Sequence, residues 1–379
     1  MQRNIILGLS GIALLLAFQN CSASFSSPGN SEKQSLNPSG IPTATPEATP
    51  VPDASPSPVN KSALVFEHYE DISTPNCFAG GPNVIQKVFV YKRIFVPELG
   101  RTVSLRAYVH RTEGSAANKP GIAMFHGGGW GDGAPTFWFG PAFYFASRGA
   151  VTVSFQYRLN KFHRTGVAEA VADARSAMRW LRSNAESLGI DAQNIAAMGD
   201  SAGGHLALST ALIDRVNDEE GVPAKVSTLP SAIAVVYPVV ETVIPGVIDL
   251  PLLSPTKLFK QNLPTTLILA GTADSQPLTP IGRTRDFCEL TGCTLKEYVG
   301  REHSFLSQEI GNVQDAHSYK EAVADFDEFF EAAGLIPADG TPARTRLANS
   351  APACREHNNI IANQRAIDYG YDQANYTNF

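Results

Sequence analysis

The sequence has little charge and no basic excess. Asp, Glu, Lys and Arg make up 17% of its 379 residues, and the formal net charge is −6 at pH 7. Nucleic-acid-binding surfaces carry clustered Lys and Arg, so we expect no nucleic-acid partner. The hydrophobic fraction of 43% is sufficient for a packed core, which excludes disorder along the whole chain.

Apolar runs of the roughly 20 residues needed to cross a bilayer as a helix are also lacking. The N-terminal run, Ile5–Phe18, is shorter and follows Arg3, which is typical of an export signal. We predict this signal over residues 1–20 and therefore an exported protein. Cys21 follows directly and resembles the acylated cysteine of bacterial lipoproteins, which implies a lipid anchor in a membrane, facing the periplasm or the cell surface. Cleavage after Ala23, giving a soluble secreted or periplasmic protein, is the alternative.

Residues 21–61 have few periodic apolar positions and are rich in Pro, Ser and Thr. Such a segment cannot bury enough surface to offset the entropy of ordering the chain, and its prolines keep it extended. We therefore predict a tether here. A folded domain is expected over residues 62–337, followed by a polar C-terminal tail, residues 338–379, that packs on the domain.

The folded part alternates short apolar runs with helical patterns. Val84–Phe95 and Thr102–His110 alternate in hydrophobicity and predict two strands joined by a turn. Continuous apolar runs of the buried-strand type follow at residues 121–125, 151–155, 195–198, 232–237 and 266–270. The clearest helical pattern extends from Val167 to Leu181. This alternation predicts an α/β fold with a mostly parallel central sheet and helices on both faces.

Two glycine-rich motifs follow predicted strands. Gly199–Gly204 (GDSAGG) places Ser201 in a tight turn between a strand and a helix, which is the setting of a nucleophilic serine. His126–Trp130 (HGGGW) follows an earlier strand, and its small residues allow backbone N–H groups to approach a developing oxyanion. The groups expected to form this oxyanion hole are the N–H groups of Gly127, Gly128 and Ala202.

A serine hydroxyl is a weak nucleophile and needs a base, which in turn needs an acid to orient it. Downstream of Ser201, His303 lies in a loop that follows a strand-like segment, and Asp274 follows the strand at residues 266–270. We predict that these three residues form a catalytic triad, with Glu302 as the weaker candidate for the acid. The histidines expected to be structural or at the surface are His205, His317 and His357.

These motifs resemble the α/β-hydrolase fold, in the esterase and lipase branch with an HGGG loop and a GDSAGG turn. The resemblance extends over residues 84–333. The block Asp173–Arg182 is similar to the bacterial feruloyl- and acetyl-esterase-like group, whereas the block at Tyr157–Leu159 is shared with the hormone-sensitive-lipase-like branch. The resemblance implies that Arg158 and Asp173 are structural supports.

We therefore predict a serine ester hydrolase that forms an acyl-enzyme and needs no cofactor. The segment between Val239 and Asn262 is too short for a large lid, which favours short-chain or small aromatic or sugar esters as substrates. The aromatic segment that follows the oxyanion motif is either a core helix or a pocket wall, and Trp130 and Trp138 are the candidate pocket residues. A peptidase or amidase on the same triad, and a non-catalytic binding domain of this fold, are the alternatives.

Four cysteines remain if Cys21 is acylated, and exported proteins meet oxidising conditions. Cys288 and Cys293 flank a short turn, so we predict that they pair with each other. Cys77 would then pair with Cys354 and fasten the tail near the start of the domain. No metal-ligand spacing is present, and we predict no metal site.

Overall fold

The structure is a computed structural model. It describes residues 65–68, 83–213, 225–259, 263–306 and 313–348. The chain divides into two units, Met1–Ala63 and Leu64–Phe379, and every described residue belongs to the second. The predicted signal and tether, the lipidation site Cys21, and the pair Cys77 and Cys354 lie outside the described residues. Within the described ranges, no helix is both long and apolar enough to cross a membrane.

In the described residues, nine strands form one sheet in the order β1-β2-β3-β5-β4-β6-β7-β10-β11. Their bounds are Val65–His68 (β1), Val84–Val96 (β2), Arg101–Thr112 (β3), Lys119–Phe125 (β4), Val151–Phe155 (β5), Ile190–Asp200 (β6), Ala232–Val236 (β7), Thr265–Gly271 (β10) and Thr294–Tyr298 (β11). Along this order, the pairs β1–β2, β2–β3 and β3–β5 are antiparallel. The pairs from β5 to β11 are all parallel. The mostly parallel sheet predicted from the sequence is thus confirmed.

Helices occupy the connections between the parallel strands and also follow the last strand, β11. Their bounds are Phe139–Ser147 (α1), Asn160–His163 (α2), Val167–Ser183 (α3), Ala185–Leu188 (α4), Ser201–Leu212 (α5), Pro255–Leu258 (α6), Ile281–Thr291 (α7), Val313–Ala332 (α8) and Ala343–Ala348 (α9). A small antiparallel hairpin, Val243–Ile244 (β8) and Ile248–Asp249 (β9), lies in the segment after β7.

Two large apolar clusters contain the residues that cover the two faces of the sheet. One includes Met178 of α3 and Leu206 of α5. The other includes Phe145 of α1 and Phe330 of α8. Because both faces are covered, β5 and β7 are buried along their whole length. This burial explains why the sequence shows continuous apolar runs there, rather than the alternation of a strand with one face in water.

The first part of the predicted tail packs on the domain through a buried carboxylate. Asp327 of α8 accepts hydrogen bonds from Arg148 Nε at 2.8 Å and from the Tyr144 hydroxyl at 2.7 Å. Arg346 of α9 approaches the same carboxylate at 3.5 Å, and Leu347 beside it is buried. Residues 343–348 are therefore held against α8, while residues 349–379 lie outside the described part of the chain.

A disulfide joins the end of α7 to the start of β11. It links Cys288 and Cys293, which are five residues apart in the sequence. These are the two cysteines that the short intervening turn was expected to bring together.

Candidate active site

Ser201 lies at the sharp turn between β6 and α5. Its φ of 50° is in the left-handed region, where a residue with a side chain is strained. Gly199 and Gly203 make this turn possible, because a Cβ atom on either would lie within 2.3 Å of a backbone oxygen. The glycine spacing of the motif thus has a direct steric cause, and it exposes the serine at the carboxyl end of the parallel strands.

The three residues predicted to form the triad lie in one chain of hydrogen bonds. His303 Nε2 is 3.1 Å from Ser201 Oγ, and His303 Nδ1 is 2.8 Å from Asp274 Oδ2. The Asp274 side chain is 1% exposed and that of His303 is 18% exposed. The base therefore reaches solvent beside the serine, while the acid is shielded from it. Glu302 instead accepts a hydrogen bond from the Ser275 hydroxyl at 3.2 Å.

The loops that carry the acid and the base are packed backbone to backbone. Asp274 follows β10, and His303 follows the neighbouring parallel strand β11. The N–H of Ala273 donates to the carbonyl of Arg301 at 3.0 Å. A Cβ atom on Gly271 would lie 2.2 Å from that same carbonyl oxygen, so a side chain here would force the two loops apart.

The side chains of two further residues contact the base or the acid, and neither residue was singled out from the sequence. The Thr279 hydroxyl lies 2.9 Å from Asp274 Oδ2 and 3.1 Å from His303 Nδ1. The ring of Tyr237 packs against the imidazole of His303, with centroids 4.6 Å apart. Tyr237 is buried and has a φ of 36°. No motif surrounds either residue in the sequence, so only the fold brings them to the site.

The oxyanion loop differs from the sequence expectation in one respect. The N–H of Gly127 donates to Asp200 Oδ1 at 2.8 Å, so the prediction that it binds an oxyanion does not fit this structure. Within the described residues, the N–H groups of Gly128 and Gly129 have no acceptor in the protein. Ala202 is in the first turn of α5, where N–H groups have no intrahelical partner. The available donors are therefore those of Gly128, Gly129 and Ala202.

Asp200 connects the nucleophile turn to this loop. Besides Gly127, it accepts a hydrogen bond from Trp138 Nε1 at 3.0 Å. Burial raises the pKa of this carboxyl group to about 6, although the hydrogen bonds from Gly127 and Trp138 favour its charged form. The Asp200 side chain thus joins the oxyanion loop to the nucleophile turn.

The two tryptophans predicted as candidate pocket residues are both buried. Trp138 is 1% exposed, and its indole N–H also donates to the carbonyl of Phe125 at 2.9 Å. Trp130 is 2% exposed and packs edge-on against His205, with ring centroids 5.2 Å apart. Both indoles therefore belong to the packed interior, whereas Phe137 in the same segment is 48% exposed.

A stack of aromatic rings supports the start of the oxyanion loop. The rings of His126 and Tyr157 are stacked with centroids 4.3 Å apart, and the Tyr157 hydroxyl donates to the His126 carbonyl at 2.7 Å. Next to Tyr157, Arg158 forms an ion pair with buried Asp173 at 2.8 Å. Lys92 pairs with the same carboxylate at 2.8 Å. The role of structural support that the resemblance implied for Arg158 and Asp173 agrees with these contacts.

His205 and His317, two of the histidines expected to be structural or at the surface, make contacts outside the triad. His205, in α5, is buried and its Nε2 lies 2.7 Å from the carbonyl of Leu253. Burial lowers the pKa of His205 to about 4, so it is neutral at pH 7. This contact fastens the segment after β7 to the nucleophile helix. His317 is exposed and lies 3.4 Å from Glu321, and His357 is outside the described residues.

The segment after β7 is short and is held in place by hydrogen bonds. It holds the β8–β9 hairpin, a turn at Pro251–Leu253 and the single-turn helix α6. The backbone N–H of Thr256 donates to the carbonyl of Val240 at 3.0 Å. In the part of the chain that the structure describes, no group of three or more His, Cys, Asp or Glu residues is arranged to hold a metal ion.

Comparisons with known proteins agree with this geometry. The family model described as BD-FAE matches residues 108–250. Carboxylesterase NlhH of Mycobacterium tuberculosis is 35% identical over 99 residues, which cover 26% of this chain and 30% of that protein. Ethyl acetate hydrolase of Pseudomonas putida is 32% identical over 146 residues, which cover 38% of this chain and 42% of that protein. The chain thus aligns with less than half the length of these two curated relatives.

Solved structures match over a larger part of the chain. Thermogutta terrifontis esterase 2 phosphoramylated by tabun is 30% identical with a TM-score of 0.61, covering 67% of this chain and 97% of that one. The same esterase with propionate bound is 30% identical with a TM-score of 0.60, covering 70% and 98%. The sheet order and the strained serine turn define an α/β-hydrolase. With these relatives, the chain belongs to the α/β-hydrolase serine esterases, a family of hydrolases.

Proposed function

We propose that this protein is a serine carboxylesterase that hydrolyses short-chain or small aromatic or sugar acyl esters through Ser201, His303 and Asp274. The observation that carries the proposal is the continuous chain of hydrogen bonds from the serine hydroxyl through the imidazole to a buried carboxylate. This arrangement supplies a nucleophile, a base within hydrogen-bond reach and a group that orients the base.

In the proposed mechanism, Ser201 Oγ attacks the ester carbonyl carbon while its proton moves to His303 Nε2. The carbonyl oxygen becomes an oxyanion that the N–H groups of Gly128, Gly129 and Ala202 stabilise. The intermediate then collapses, and the imidazolium gives its proton to the departing alkoxide, which leaves as an alcohol. Asp274 stabilises the imidazolium and remains ionised. Water attacks the acyl-enzyme in the same way, and the carboxylic acid is released.

The size of the acyl group is inferred from the short segment after β7 and from the relatives. The segment from Val240 to Phe259 is tied to α5 and to itself, as described above, and is too small to act as a large lid. One relative is named ethyl acetate hydrolase, and a structural neighbour has been solved with propionate bound. We therefore expect the highest kcat/KM for acetyl to butyryl esters and a decline with longer chains.

The test is a series of p-nitrophenyl esters from acetyl to decanoyl, run on the wild type and on Ser201→Ala. Ser231→Ala is a matched control, since this serine is exposed and directly precedes β7, at the amino end of the parallel strands and not at the carboxyl end where Ser201 lies. We expect Ser201→Ala to lose essentially all turnover and Ser231→Ala to behave as wild type. A p-nitroanilide series would distinguish an amidase, and ester turnover that survives in Ser201→Ala would refute the mechanism.

Labelling with the organophosphate paraoxon provides a second readout that does not depend on the choice of ester. An activated serine attacks the phosphorus and displaces p-nitrophenolate, so one diethylphosphoryl group should be found on the peptide that contains Ser201. Its absence from a properly folded protein would support the non-catalytic alternative.

We further propose that the protein is exported and anchored to a bacterial membrane through acylated Cys21. The support is the short apolar run after Arg3 and the position of the cysteine directly behind it. Metabolic labelling with a fatty-acid analogue should mark the wild type and not Cys21→Ser. A soluble, unlabelled wild-type protein beginning at Ser24 would instead establish cleavage after Ala23.

A further inference from the structure

The Thr279 hydroxyl occupies a specific place beside the acid and the base. It lies 2.9 Å from Asp274 Oδ2 and 3.1 Å from His303 Nδ1, while these two atoms are themselves 2.8 Å apart. The three atoms form a closed triangle of hydrogen-bond distances. Thr279 is 3% exposed, so water does not compete for these contacts.

The protons of this triangle can be assigned from its chemistry. An ionised carboxylate only accepts, so the single hydroxyl hydrogen of Thr279 points to Asp274 Oδ2. The hydroxyl lone pairs then face His303 Nδ1, which satisfies them only if that nitrogen carries the proton. The reverse orientation would leave the carboxylate and an unprotonated nitrogen facing each other at 2.8 Å. The arrangement therefore favours the tautomer whose Nε2 accepts the proton of Ser201.

Thr279 also completes the fixation of the Asp274 carboxylate. Oδ1 accepts a hydrogen bond from the backbone N–H of Gln276 at 3.0 Å. Oδ2 is held by Thr279 and His303, so each oxygen has a partner and the carboxylate cannot rotate freely. Thr279 is itself positioned by its backbone N–H, which donates to the Gln276 carbonyl at 3.2 Å. The helix α7 begins two residues later.

We propose that Thr279 is a positioning residue of the triad, whose hydroxyl orients Asp274 and fixes the proton of His303 on Nδ1. The inference rests on the proposed function, since it assigns a role within the same site. The proposed role belongs to the hydroxyl group and not to the volume of the side chain, so substitutions can test it separately from the packing of the side chain.

The test compares Thr279→Val, which keeps the shape, with Thr279→Ser, which keeps the hydroxyl. Thr284→Val is the matched control, because Thr284 is also buried in this region and its hydroxyl has no hydrogen-bond partner within the described residues. Because Thr279→Val removes a hydrogen bond to a charged group, we expect kcat to fall about tenfold, with KM changed by less than about twofold. Thr279→Ser should recover most of this loss, and Thr284→Val should show none.

A double-mutant cycle separates positioning from structure. In an Asp274→Asn background, Thr279→Val should cost less than about twofold, because the group through which Thr279 acts has already been lost. Equal losses in both backgrounds would overturn the proposal, as would equal losses for the Val and Ser variants or wild-type kcat in Thr279→Val. Thermal unfolding checks that each variant folds, with Thr279→Ala as a substitute if the Val variant does not.

A spectroscopic readout decides the proposal even if the protein hydrolyses none of the esters. The proton on His303 Nδ1 can be followed by nitrogen-edited NMR. We expect its exchange with water to become roughly tenfold faster in Thr279→Val, since one of its two acceptors is removed, and to stay slow in Thr279→Ser. Unchanged exchange in Thr279→Val would refute the role of the hydroxyl. Failure of the esterase proposal itself would show separately, as absence of wild-type turnover and of labelling at Ser201.

Discussion

Replacing Asp200 by Asn is expected to stabilise the protein at neutral pH while lowering its esterase activity. The carboxylate lies between the nucleophile turn and the oxyanion loop in a partly buried residue, with Gly127 N–H and Trp138 Nε1 as its donors. Burial raises its pKa from the ordinary 3.8 to about 6, because these donors only partly replace the lost hydration. Asn keeps an oxygen acceptor for both donors and carries no charge at any pH.

The magnitude follows from the two pKa values. The difference between about 6 and 3.8, at about 1.4 kcal/mol for each pKa unit, gives at most about 3 kcal/mol. The folded state binds the proton of Asp200 more tightly than the unfolded state does. Its contribution to stability is therefore fully present below pH 3.8 and is lost as the pH rises through about 6. The Asn variant has no such loss, so its advantage should grow over this interval and stay constant above it.

The assay is urea unfolding of wild type and Asp200→Asn between pH 4 and pH 8. Comparing the two proteins at each pH removes the contribution of all other titrating groups. We expect nearly equal free energies of unfolding at pH 4 and a difference of at most about 3 kcal/mol in favour of the variant at pH 8. A variant that is less stable at pH 8, or a difference that does not change with pH, would refute this account of the buried charge. Ester turnover should fall in the same variant, because the negative charge near His303 and the charged acceptor of Gly127 are lost.

Two further substitutions test the steric and ionic parts of the site. Gly203→Ala would place a Cβ atom 2.0 Å from a backbone carbonyl, so we expect a loss of about 1–3 kcal/mol or more in thermal unfolding. Gly282→Ala is its control, as a Cβ atom there meets nothing within 4 Å, and it should be neutral or slightly stabilising; equal effects of the two would contradict the steric argument. Asp173→Asn should cost about 3–5 kcal/mol in urea unfolding at pH 7, because it leaves two buried cations without their partner. Burial alone would raise the pKa of Asp173, but these cations hold it below its ordinary value. The stabilisation that the ion pairs provide should therefore be lost only in strong acid. An Asn variant as stable as wild type at pH 7 would disprove this role of Asp173.

The nucleophile and the base could be predicted from the sequence because their positions follow from local rules. The turn around Ser201 requires residues without a side chain at fixed positions, and the spacing of the glycines in the sequence shows this requirement. His303 lies in the loop after a strand, and in a parallel sheet the loops after neighbouring strands meet at one edge. Asp274 follows the adjacent strand for the same reason. The sheet order that brings them together rests on the alternation of buried strands and helices, which the hydrophobic pattern of the sequence predicts.

The supporting residues could not be predicted in this way, because their contacts depend on the exact course of the loops. Thr279 is an ordinary threonine in the sequence, and Tyr237 is one of many aromatic residues near a strand end. The assignment of the oxyanion donors failed at Gly127 for a related reason. A glycine motif shows that backbone N–H groups can approach a ligand, but not which of them is already donated to a side chain such as Asp200.

The disulfide has a practical consequence for producing the protein. Cys288 and Cys293 are only five residues apart, so their bridge closes a very small ring. By restricting the unfolded chain, it stabilises the folded protein by about 2 kcal/mol. It joins the far end of α7, an 11-residue helix that carries the chain about 16 Å away from the triad. A chain made in the reducing cytoplasm of an expression host should therefore lose a little stability at this bridge, while the loops that hold Asp274 and His303 keep their mutual backbone contacts.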